Sequence, residues 1–151
     1  MANPERQVAG IIGDGAFLMT AMESLTAVND ELPVAWFIFN DGELSQIAQA
    51  QEMPYQRTTC TTLATLDYEK FAQATGCEFV SIPNDEALEE GIDRAVSLMA
   101  GKRPVIVDVR IDYSKKTQFT VGPVKTNIKR FDTRNKLRII SRALWRKFRK
   151  R

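Results

Sequence analysis

The run Ile11-Ile12-Gly13-Asp14-Gly15-Ala16-Phe17 decides how this chain is read. Val8 to Ile12 is a short apolar segment that stops at Gly-Asp-Gly. Beyond it Phe17, Leu18, Ala21, Met22, Leu25 and Val28 recur at helical spacing. The stretch predicts a strand, a tight glycine turn and a helix from Ala16 to about Asn29, with Met22 and Leu25 packed on a sheet. A helix that opens on glycines presents free backbone N–H groups and the positive end of its dipole, a ready anion site. Asp14 sits where that anion would lie, and a carboxylate beside a phosphate makes sense only with a cation between them. Magnesium, hard and oxygen-seeking, is the usual choice.

A second strand, Val34 to Phe39, ends at Asn40-Asp41-Gly42. Two strands joined by one helix end at the same edge of a parallel sheet, so Asp14 and Asp41 can converge on one ion. Residues 16–39 separate Gly15 from Asn40, a spacer of 24. The pattern resembles the diphosphate-and-magnesium motif of thiamine diphosphate enzymes: Gly-Asp-Gly, a spacer in the mid-twenties, then Asn-Asn. The resemblance implies that Asp14 and Asp41 bind magnesium through their side chains and Glu43 through its carbonyl. It also implies a cofactor contact set of Gly13, Asp14, Gly15, Ala16, Asp41, Glu43 and Leu44. Asp41 departs from the family's Asn. It remains an oxygen ligand but adds negative charge beside a polyanion, which weakens the expected binding. Taken alone, Gly-Asp-Gly would read as a βα turn with Asp14 capping the helix. A Rossmann dinucleotide site is disfavoured because G-x-G-x-x-G is absent.

Within that superfamily, residues 13–27 followed by Leu32-Pro33-Val34 look like the acetolactate-synthase-like branch and its decarboxylase relatives; the likeness covers roughly residues 4–112. The resemblance implies a 2-oxo acid substrate and a cofactor that carries the chemistry while the protein anchors it. In the family a glutamate on a separate pyrimidine-binding domain, usually from a neighbouring subunit of a homo- or hetero-oligomer, activates the cofactor. No segment here resembles that domain, and the family's diphosphate-binding domain normally begins several dozen residues before Gly-Asp-Gly. The chain is thus expected to be a C-terminal fragment or one product of a split gene. It would carry the anchor half of a site, with no catalytic side chain and no turnover alone. The competing class is a non-catalytic, truncated α/β module that associates with a partner subunit or membrane surface through its tail.

Past Gly42, Glu43 to Gln51 is helical in propensity, with Gln46, Gln49 and Gln51 facing either solvent or substrate. Met53 to Leu66, with Pro54, Tyr55 and five threonines, reads as an extended loop. Asp67 to Thr75 is a short helix closed by Gly76, and Cys77 to Ile82 is a third strand. Pro83-Asn84-Asp85-Glu86 opens a helix with an acidic first turn, which suits its dipole. Leu88, Ile92, Ala95, Val96 and Met99 are its expected core face. Val105, Ile106, Val107, Val109 and Ile111 form a fourth strand apolar enough to be buried on both faces. The order predicts an α/β fold: an open, doubly wound, mainly parallel sheet with helices on both faces, spanning residues 1–112. Residues 113–151 form a basic C-terminal extension.

The charge is divided unevenly along the chain. Residues 1–124 hold 9 Lys/Arg against 18 Asp/Glu, and residues 125–151 hold 12 against 1. Tyr113 to Lys129 is polar with a turn at Gly122-Pro123. From about Thr133 the sequence is helix-like, with Leu137, Ile140, Leu144 and Phe148 in one stripe and Trp145 at its edge. Arg138, Arg142, Arg146 and Arg149 cover the opposite side. Such a basic amphipathic helix suits an anionic membrane surface; docking on protein with solvated arginines is the plainer alternative. No nucleic-acid-binding motif accompanies it.

The composition, 44% hydrophobic and 26% charged over 151 residues, is that of an ordinary globular protein large enough for a core. No apolar run approaches the roughly 20 residues that span a bilayer, and the first residues lack signal-peptide features. The cytoplasm is the expected compartment. The absence of histidine removes Ser-His and Cys-His catalysis and the common zinc sites. Cys60 and Cys77 form no C-x-x-C, so no redox or zinc motif is indicated.

Overall fold

In the computed structural model, residue 3 and residues 5–55, 57–112 and 129–149 are described, the side chains of 53–55, 139, 142, 143 and 146–149 excepted. Four strands, β1 (Val8–Gly13), β2 (Val34–Asn40), β3 (Glu78–Ile82) and β4 (Val105–Arg110), form one parallel sheet in the order β1-β2-β4-β3. Gly13 stands opposite Phe39 and Asn40 opposite Arg110, so the strand tips share one edge. In β4, Val105 to Val109 are buried without a break and only Arg110 is exposed. That is the burial its apolar run implied.

The helices are α1 (Asp14–Thr20), a 3₁₀ turn (Ala21–Glu23), α2 (Ser24–Asn29), α3 (Ser45–Tyr55), α4 (Tyr68–Thr75), α5 (Leu88–Ala100) and α6 (Thr133–Arg149). The chain divides into two compact units, one of Met1–Gly42 with Ala64–Ile111, the other of Glu43–Leu63 with Asp112–Arg151. The first unit holds the sheet. On one face Ala95 and Met99 of α5 pack with Ala35, Val80, Ile82, Val105, Val107 and Val109. On the other, Phe17, Ala21, Tyr68 and Ala72 pack with Ile38 and Ile106. Helices therefore cover both faces of an open parallel sheet. Local chemistry bounds α4: the Asp67 carboxylate accepts the Lys70 N–H at 3.0 Å, and Gly76 closes the helix in the left-handed region at φ 82°.

Three local expectations are corrected. The helix foreseen over Ala16–Asn29 is broken by the 3₁₀ turn, which advances each residue by a larger angle and rotates the apolar stripe. Phe17, Ala21, Ser24 and Ala27 turn inward, while Met22 is 64% exposed and Leu25 43%. On α5, Ala95 and Met99 are buried as expected and Gly91 joins them, but Leu88, Ile92 and Val96, expected inward, remain exposed. A small-residue stripe lets the helix approach closely: a Cβ on Gly91 would lie 2.4 Å from Ile82 Cγ1. Third, α3 runs on to Tyr55, past Pro54, where an extended loop was expected from Met53.

In the second unit an antiparallel bridge joins Glu43 to Thr62. Gln51 pairs with the loop that follows: its Oε1 accepts the Thr59 N–H at 2.7 Å and its Nε2 donates to the Thr59 carbonyl at 3.2 Å. On α6, Leu137, Ile140, Leu144 and Trp145 are exposed. The side chains of Arg142, Arg146, Phe148 and Arg149, and the polar stretch 113–128 with its Gly122-Pro123 turn, lie outside the described residues. Among the described residues no helix is long and apolar enough to cross a membrane.

Candidate functional site

Gly13 ends β1 in extended backbone (φ −73°, ψ 152°), and a Cβ there would meet nothing within 4 Å. The fold thus tolerates a side chain at this position, and glycine leaves bare backbone open at the strand tip. Asp14 follows as the first residue of α1 and is only 5% exposed. Its Oδ1 accepts the Gly15 N–H at 2.7 Å and its Oδ2 accepts the Gly42 N–H at 2.8 Å. Gly42 adopts φ +73°, which favours glycine and turns its N–H back toward β1. One buried carboxylate therefore ties the tips of β1 and β2 together.

A buried carboxylate needs compensation. Two amides supply part of it, and the salt bridges among the described residues do not include Asp14. An ionised carboxylate offers about four acceptor positions, so Asp14 keeps capacity after both amides are satisfied. Asp41, half-buried, sits between Asn40 and Gly42 on the same sheet edge. Among the described residues no three Cys, Asp or Glu side chains group together as a metal cage. This donor set fits a hard cation that completes its shell with backbone oxygens and the oxygens of a bound anion. Gly15 is buried and Ala16 is exposed. Glu23 is exposed, and its carboxylate accepts the Thr26 hydroxyl at 3.5 Å, a local helix contact.

Glu43 and Leu44 belong to the second unit, where the loop strand holds them. The Glu43 carboxylate accepts the Thr61 hydroxyl at 2.7 Å, and the Leu44 N–H donates to the Thr61 carbonyl at 2.7 Å. Thr61 is itself buried.

Two features at the sheet edge escaped the sequence reading. Asn40 Nδ2 donates to Asp108 Oδ1 at 2.8 Å, and both residues are buried. Asp108 Oδ2 also faces Arg110 Nε at 3.6 Å. The available signal was a lone acid in the otherwise apolar run of β4. Tyr68 is buried against Phe17, with ring centroids 5.9 Å apart. Burial pushes its phenol up to about 12, the nearby Asp14 and Asp108 carboxylates add to the rise, and Arg110 opposes it.

Comparison with known proteins identifies the family. Residues 1–109 match the family described as thiamine pyrophosphate enzyme, C-terminal TPP binding domain, thiamine pyrophosphate being another name for thiamine diphosphate. The chain is 31% identical over 114 residues to an acetolactate synthase of Bacillus subtilis, a match covering 76% of this chain and 20% of that protein. It is 33% identical over 117 residues to the acetolactate synthase isozyme 3 large subunit of Escherichia coli, covering 76% and 20%. Against the mitochondrial acetolactate synthase catalytic subunit of Saccharomyces cerevisiae the values are 33% over 113 residues, covering 74% and 16%. The chain thus spans about a fifth of the length of these relatives. With the family model matching most of its length, the chain belongs to the thiamine pyrophosphate enzyme family, to which it contributes the C-terminal TPP binding domain.

Proposed function

We propose that this chain anchors the diphosphate of thiamine diphosphate through a magnesium ion, as the cofactor-holding part of an acetolactate-synthase-like enzyme. Asp14 and Asp41 would hold the ion through their carboxylates and Glu43 through its backbone carbonyl. Gly13, Gly15, Ala16 and Leu44 would line the diphosphate. When bound, the cofactor supplies the nucleophilic carbon for chemistry on a 2-oxo acid. The residues of this chain neutralise and orient its charged end. The observation that carries the reading is the Asp14 carboxylate, buried and fixed between the Gly15 and Gly42 amides at the joint tip of two strands.

The rest of the active site, including the activating glutamate, is assigned to a pyrimidine-binding domain supplied by another segment or subunit of a cytoplasmic oligomer. The chain by itself is then a binding module without turnover. Isothermal titration with magnesium and thiamine diphosphate, on wild type and Asp14→Ala, tests the anchor. Equal affinity for the two proteins would overturn it. Acetolactate formation by the purified chain alone would overturn the assignment of activation to a separate pyrimidine-binding domain.

A further inference from the structure

The tip of β2 is held from the side opposite Asp14. Asn40 Nδ2 donates to Asp108 Oδ1 at 2.8 Å, and the Asn40 carbonyl accepts the Ile111 N–H at 3.2 Å. Both Asn40 and Asp108 are 7% exposed. Asp108 lies opposite Ile38 in the β2–β4 register, and Asn40 lies opposite Arg110, so the hydrogen bond runs diagonally between the strands. Asn40 is therefore pinned to β4 by side chain and by backbone. The next two residues are Asp41 and Gly42, and the Gly42 N–H is the group that meets Asp14 Oδ2 at 2.8 Å. Hydrogen bonds thus join Asp108 to Asn40 and Gly42 to Asp14, and the backbone through Asp41 links the two.

We propose that Asp108 is a positioning residue for the diphosphate-anchoring site: acting through Asn40, it fixes the Asp41-Gly42 turn against Asp14. The inference rests on the function proposed above. The side-chain amide of Asn40 has donors to place, and a buried amide without an acceptor is costly. In this pairing Asp108 supplies the acceptor. Its second oxygen faces Arg110 at 3.6 Å, beyond hydrogen-bond distance, so the guanidinium offsets charge more than it sets direction. Without Asp108, the Asn40 amide must turn to find water. The Asp41-Gly42 turn then loses one of its two ties to β4. Groups that orient metal-site residues without touching the ion typically change metal affinity by about 10–100-fold when removed.

The test uses the full 151-residue chain. Asp108→Leu keeps the branched outline of the side chain and removes the acceptor. Asp108→Asn keeps an acceptor oxygen of the same shape, and Asn40→Ala removes the donor. Val80→Ala, buried on β3 at the far side of the sheet, controls for loss of stability alone. Amide exchange at Gly42 is read without ligand, and the dissociation constant is read with magnesium and thiamine diphosphate. Asp108→Leu and Asn40→Ala are expected to speed Gly42 exchange and to weaken binding by about tenfold each. The double variant should be no worse than the weaker single one, because both remove the same contact. Asp108→Asn should stay within about threefold of wild type, and Val80→Ala should change neither readout selectively. Wild-type Gly42 exchange in Asp108→Leu overturns the proposal, as does a Val80→Ala effect of equal size. If Asp14→Ala binds as tightly as wild type, the anchoring function falls, and Gly42 exchange alone then decides the clamp.

Discussion

Asp14 Oδ2 and the Gly42 N–H meet at 2.8 Å, joining two residues 28 positions apart into a single strand-tip junction. The junction depends on Gly42 holding φ +73°. A Cβ at this position would meet nothing within 4 Å, so the constraint is backbone conformation and not space. Gly42→Ala is therefore expected to lower stability by about 1–2 kcal/mol, the cost of a left-handed conformation for an L-residue with a side chain. Gly42→Asn should lose less, since Asn tolerates that region better. Urea unfolding of both variants measures the difference. An alanine variant as stable as wild type would show that the turn can relax, and with it that Asp14 does not need this amide.

Tyr68 gives the site edge a pH signature. Its folded pKa stands at about 12, raised first by burial and then by the Asp14 and Asp108 carboxylates. An unfolded tyrosine ionises near about 10. Between these values the unfolded state releases a proton that the folded state keeps, so stability falls as pH rises through that window. Below pH 10 the two states bind the proton alike and the contribution is constant. Tyr68→Phe is expected to flatten this alkaline loss, as read by thermal melts from pH 9 to 12. In ultraviolet titration of the folded wild type, one of its three tyrosines should ionise late. A variant that keeps the wild-type alkaline slope would mean that Tyr68 is not the group responsible.

The strand-tip junction was legible because its signals are local: two strand ends followed by glycine turns, at a spacing that a helical crossover fits. Asp14 and Asp41 could be placed on one edge from that, while the Gly42 amide that meets Asp14 could not. The partners of Asn40 were not legible, because Asp108 is 68 residues away and pairing of β2 with β4 comes from the strand order, which sequence order does not disclose. Helix facing failed for a different reason. Periodicity assigns the largest apolar residues to the core, so Leu88, Ile92 and Val96 were expected inside α5. Ala95 and Met99 of the expected face are buried, but packing distance put Gly91 beside them in place of the larger residues, and its small size lets the helix sit close to β3. A 3₁₀ turn likewise cannot be read from spacing, and it moved Met22 and Leu25 outward.

That close approach makes Gly91 a sharp test of the α5 packing. Its added Cβ would lie 2.4 Å from Ile82 Cγ1 and 2.8 Å from Ile82 Cδ1, while Ile82 is 1% exposed and has no free direction to move. Gly91→Ala gains helix propensity of about 1 kcal/mol, against an overpacking cost of about 1–3 kcal/mol. Net destabilisation is expected. Ile82→Ala removes both Cγ1 and Cδ1, the two atoms in the way, so the double variant should be more stable than the two single losses summed. Strict additivity in chemical denaturation would place α5 farther from β3 than the structure has it.

The two cysteines report on the two units separately. Cys77 is buried in the sheet unit, and burial pushes its thiol up by more than the Thr75 and Ser24 hydroxyls lower it. Cys60 is exposed in the second unit, at φ 56°. Thiolate is the reactive form, so a buried thiol with a raised pKa is slow on both counts. At pH 8 a thiol reagent should label Cys60 at once and leave Cys77 untouched until the sheet unit opens. Added urea should release the second thiol with the same midpoint as the loss of helical circular dichroism in the sheet unit. Cys60→Ser should abolish the fast phase and keep the slow one. Rapid labelling of both cysteines in native buffer would mean that the face of the sheet lined by Phe17, Tyr68 and Ile106 opens without unfolding, and the Asp14 junction built on that face would not be rigid.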